Sequence, residues 1–98
     1  MERMNPMETR VAVLGIIVDD IDATAALNKI LHSYADYVIG RMGIPYPKRK
    51  ISIISVAIEA SQEVISAMAG KIGRLAGVSC KTAYSNHVYS GECNAARE

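Results

Sequence analysis

The sequence contains no tryptophan and no phenylalanine, only two cysteines, and almost no net charge. Each shortage removes a class of explanation. Cys80 and Cys93 are too few for the disulfide framework of a small secreted domain, so reduced thiols in a cytoplasmic protein are the expectation. Eleven Lys and Arg against ten Asp and Glu leave +1, which lacks the positive field behind non-specific phosphate contact. Nucleic acid is therefore not an expected partner. No apolar run reaches the roughly 18–20 residues of a membrane-spanning helix, and the N-terminus lacks the basic and apolar regions of a signal peptide, so no membrane association is expected.

Catalytic patterns are missing as well. His32 and His87 are the only histidines, and no Gly-x-Ser-x-Gly, P-loop or zincin pattern occurs. Asp19 and Asp20 are adjacent, so in an extended segment they point apart and make a poor acid/base pair. His87, Glu92 and Cys93 fall short of the four ligands of a structural metal site. The expectation is a protein that is not an enzyme and has no metal and no cofactor; the role of the segment holding His87 and Cys93 stays open.

Half of the residues are hydrophobic and 21% are charged, the profile of a folded chain, and 98 residues allow one core. The apolar content lies in Ile, Val, Ala and Met, with Tyr the sole aromatic, which favours sheet. Residues 1–8 read as a loose leader, 9–85 as a single domain and 86–98 as a polar tail.

Within the domain, residues 9–18 (TRVAVLGIIV) form a continuous β-run, buried on both faces and ended by Asp19 and Asp20. Asp22 is a candidate cap for a helix whose apolar stripe is Ala23, Leu27, Ile30, Leu31 and Tyr34, leaving Asn28, Lys29 and His32 off it. Residues 36–44 and 51–59 read as two strands. Between them Pro45, Pro47 and the basic cluster Lys48, Arg49 and Lys50 mark a turn. Ser61 is a candidate cap for a second helix, with the stripe Val64, Ile65, Met68, Ile72 and Leu75 and Gly77 closing it. Ser66, Ala69, Gly70 and Gly73 gather on the opposite side, a small-residue face open to close approach. Residues 78–84 give the last strand.

The order β-α-β-β-α-β predicts an α+β ferredoxin-like sandwich: a four-stranded antiparallel sheet with two helices on one face and strand order 4-1-3-2. In such a sheet the first and third strands are central, and an isolated monomer would show polar residues on the uncovered face. Here Val11, Val13 and Ile17 oppose Ala12, Leu14, Ile16 and Val18, while Ile51, Ile53 and Ala57 oppose Ile54, Val56 and Ile58. Both faces are apolar, which predicts a homo-oligomer, dimer or higher, joined through the uncovered face. The competing reading is that leader or tail folds over it.

The segments TRVAVLGIIV, NKILHSYADYVIGRMGIPY, ISIISV and ISAMAGKIGRLAGVSCKTAYS together resemble the iron-only hydrogenase system regulator family across residues 9–85. GRMGIPY, GKIGRLAGV and KTAYS are the most specific parts. The resemblance implies a fold similar to ACT domains and to the C-terminal domain of the nickel-responsive regulator, a regulatory or ligand-sensing role linked to hydrogenase maturation, and assembly into oligomers. The nickel regulator's His-x-His and Cys ligands have no counterpart between residues 36 and 59, and no ribbon-helix-helix segment precedes residue 9. Both departures argue against nickel sensing and direct DNA binding, although the family label keeps a DNA-contacting regulator as the alternative.

A small-molecule effector or a partner protein is implied as the thing sensed. By analogy with ACT-like modules, its expected place is near Gly15, Asp19 and Asp20, where the first strand hands over to the first helix. Arg41 or Arg74 would be contributed nearby or by a neighbouring subunit. Each adjoins glycine, in Gly40-Arg41-Met42-Gly43 and Gly73-Arg74, so backbone can approach an anion while the guanidinium binds it. The plainer reading of both arginines is an ion pair within or between subunits.

Overall fold

A computed structural model describes residues 8–90. Six elements follow one another: β1 (Arg10–Val18), α1 (Thr24–Ser33), β2 (Val38–Tyr46), β3 (Ile51–Ala60), α2 (Gln62–Gly73) and β4 (Val78–Tyr84). The sheet order is β2-β3-β1-β4 with every neighbouring pair antiparallel. This is the ferredoxin-like α+β sandwich that the order of the elements predicts, with β1 and β3 in the centre.

Alternation in β1 shows which side the helices take. Ala12, Leu14, Ile16 and Val18 are buried, and their partners across the ladder, Val56 opposite Leu14 and Ile54 opposite Ile16, are buried with them. Leu27 and Leu31 of α1 and Ile65, Met68 and Ile72 of α2 join the same cluster. Both helices thus cover one face of the sheet, and their stripes are those of the 3.6-residue period.

The helix starts differ from each other. Ser61 caps α2 as its sequence position predicts, its hydroxyl accepting from the Val64 N–H at 3.2 Å. Asp22 does not cap α1. A 3-10 turn, Ile21–Ala23, precedes that helix, and the Asp20 carboxylate caps it by accepting from the Asp22 N–H at 2.9 Å. The expected second strand also begins later, because a 3-10 turn over Ala35–Tyr37 takes up Asp36 before β2 opens at Val38.

At its other end β2 runs on through Pro45, which an edge strand tolerates because one row of its backbone groups needs no partner. The β2–β3 turn is closed by Arg49 N–H to Tyr46 carbonyl and Lys50 N–H to Pro47 carbonyl, both at 3.1 Å. Past β4 the backbone stays beside β1: Thr9 and Tyr89 exchange two hydrogen bonds, at 2.8 and 2.7 Å. Among the described residues no helix is long and apolar enough to cross a membrane.

Candidate functional site

The face of the sheet turned away from the helices is apolar along its centre. Ladder register places Ile44 of β2 opposite Ile53 of β3, Ile53 opposite Ile17 of β1, and Ile17 opposite Ser79 of β4, so one row across the sheet carries three isoleucines. Val13 and Ile17 are each 40% exposed, Ile44 52% and Met42 59%. Side chains of this size left in water on neighbouring strands form a contiguous patch, the kind of surface that on a folded protein marks an interface. Gly15 lies at its middle, between Ser55 and Lys81.

On the helix side a second feature opens. The inner face of β2 is left uncovered, and between it and α1 lies a cleft of about 510 Å³. Leu31 and Val56, both buried, form its floor together with the half-buried Val38, while the exposed Asn28, His32, Ala35 and Arg41 stand at the rim. The volume falls within the roughly 300–1,000 Å³ usual for small-molecule sites, and an apolar floor with a few polar groups is their usual lining. One polar contact crosses the rim: an Arg41 guanidinium N–H donates to Asn28 Oδ1 at 3.4 Å. That length is beyond the normal range for such a bond, so the contact holds Arg41 weakly.

The five residues singled out in the sequence fall in four places. Gly15 sits on the open face, and Asp19 and Asp20 mark the end of β1, where the Asp19 N–H donates to the Gly77 carbonyl at 2.7 Å. Arg41 pairs with Val56 and faces the helix side, opposite to Gly15. Arg74 folds back along its own helix, its guanidinium standing 3.6 Å from where a Cβ on Gly70 would be. Bringing Arg41 and Gly15 to one ligand therefore requires a second subunit.

A family model for TM1266-like proteins, described as iron-only hydrogenase system regulators, matches residues 10–82. The chain belongs to this family. Its solved relative TM1266 from Thermotoga maritima, described as an uncharacterized protein, is 30% identical; the likeness covers 78% of this chain and 96% of that one at a TM-score of 0.75. No curated protein matches significantly. The TM1266-like match runs from the start of β1 into β4, so it takes in both the open face and the cleft.

Sequence reasoning singled out Arg41 but not its companions. His32 and Asn28 stood out only as polar residues off the α1 stripe, and nothing in the sequence tied them to β2. The connection needs the tertiary position of α1 over the sheet. Among the described residues no three His, Cys, Asp or Glu side chains gather as metal ligands; Glu92 and Cys93 lie outside the described residues.

Proposed function

We propose that this protein is a homo-oligomeric regulatory module of the iron-only hydrogenase system, without catalytic activity, whose subunits join through the open sheet face. Binding of a small-molecule effector or a partner protein then biases assembly, and the assembled state is what the rest of the system reads. Family membership supports the regulatory role. The observation that carries the assembly is the row Ile17, Ile53 and Ile44 with Val13 and Met42 beside it, exposed on a face that no described element covers. A second copy suits it best, because a two-fold axis lays the apolar rows of one subunit on those of the other and leaves Lys81, next to Gly15 on β4, to one side.

Static light scattering of the full chain at micromolar concentration tests this. The expected mass is that of a dimer or higher oligomer, and Ile17→Glu shifts it toward the monomer. A monomeric native chain overturns the reading. Binding to duplex DNA that weakens steeply as salt is raised would instead favour a regulator in direct contact with phosphate.

A further inference from the structure

We propose that the cleft between α1 and the β2 edge binds a small organic carboxylate with an apolar body, its charged end held by Arg41. This names the ligand class for the sensing role above, and it rests on that role only for its biological use.

The argument begins with the uncovered inner face of β2. Residues there that meet the helix side are Val38, opposite Ile58, Arg41, opposite Val56, Gly43, opposite Ile54, and Pro45, opposite Ser52. Of these, Val38 and Arg41 line the cleft. Its floor is hydrocarbon: Leu31 and Val56 are at 3% and 0% exposure and belong to the core cluster, yet both line the cleft. Leu31 and Val56 are already out of water, so an apolar group resting there would chiefly take its own hydrocarbon out of water, without reorganising the fold.

The rim chooses the charge. Arg41 carries a permanent positive charge and a planar fork of donors that matches the two oxygens of a carboxylate. Among the described residues its one polar partner is neutral, the Asn28 Oδ1 at 3.4 Å, a contact that a carboxylate oxygen can replace with a shorter and stronger one. With that oxygen turned to Arg41, the Asn28 amide nitrogen remains as a further donor, and His32 adds an imidazole at the same rim. Among the described residues, three groups able to donate and no acidic residue line the cleft. The Arg41 charge repels a cationic ligand there, and a free phosphate would gain nothing from the hydrocarbon floor. Carboxylate on an apolar body is the chemistry that uses both.

Two-dimensional amide NMR of the full chain, titrated separately with hexanoate, hexanamide and inorganic phosphate, tests the assignment. Hexanoate is expected to give saturable shifts centred on Leu31, His32, Ala35, Val38 and Arg41. Hexanamide, which keeps the apolar body without the charge, and phosphate, which keeps a charge without the apolar body, should each bind about tenfold more weakly or worse, and Arg41→Gln should cost hexanoate a similar factor through loss of its charge-assisted hydrogen bond. Arg41→Lys should recover only part of it, since an ammonium lacks the fork. Absence of saturable shifts, equal binding of hexanamide, indifference to Arg41→Gln, or shifts centred on the open face would each overturn the proposal. The same titration on Ile17→Glu separates the two readings. Hexanoate binding in a monomeric native chain would sink the assembly alone, and an intact oligomer that ignores hexanoate would sink the cleft alone.

Discussion

Gly77 and Asp20 pack so closely that a Cβ on Gly77 would overlap the Cβ of Asp20 and stand 3.3 Å from its backbone nitrogen. Gly77 also holds φ +77°, a left-handed conformation that side chains disfavour. At this one contact the exit from α2 meets the exit from β1, because the Gly77 carbonyl accepts from the Asp19 N–H while Asp20 caps the turn into α1. Gly77→Ala is therefore expected to destabilise the protein by about 2 kcal/mol or more, by urea melt. Gly73→Ala should do the reverse: a Cβ there meets nothing within 4 Å and the residue lies in α2, so a gain of up to about 1 kcal/mol is expected.

Among the described residues, Lys50 is the non-glycine residue with positive φ, at 59° in the tight turn before β3. Lys50→Gly should stabilise the fold by up to about 1 kcal/mol, and Lys50→Val should destabilise it by a comparable amount or more, since a β-branched residue tolerates that region least. Thermal melts of the two variants should move in opposite directions.

Much of the architecture was legible in the sequence for a physical reason. The 3.6-residue stripes from Ala23 to Tyr34 and from Val64 to Leu75 mark which faces of the helices enter the core, whereas the two central strands were legible as strands but not in phase, because both of their faces are apolar and only the position of the helices puts Ala12, Leu14, Ile16 and Val18 inside. The Ser61 cap was readable because it lies directly before its helix. The Asp20 cap was not, because two aspartates two positions apart offer the same chemistry and the choice depends on the contact with Gly77, far along the chain. The same limit hid the cleft. Arg41 carries a local signal, but Asn28, His32 and Val56 come to it from two other elements, and no spacing along the chain records that meeting.

Cys80 lies on the inner face of β4, opposite Ile16 and packed against the core, and burial pushes its thiol above the ordinary value of 9.0. In a Cys93→Ser background, iodoacetamide should modify Cys80 more slowly at neutral pH than it modifies a free thiol. The raised value also sets a sign for stability. The unfolded chain releases the proton first, so the contribution of the buried thiol is fully present below about pH 9 and is lost as pH rises through the folded value. Cys80→Ala should flatten that alkaline decline.

The central claim is that the open sheet face joins subunits, and an isotope-filtered NOE experiment on a mixture of labelled and unlabelled full chains tests it most directly. Intermolecular contacts are expected from the methyl groups of Val13, Ile17, Ile44 and Ile53, with none from the core methyls of Leu27 or Ile65. An oligomer whose intermolecular contacts arise elsewhere, with those four side chains silent, would contradict the account.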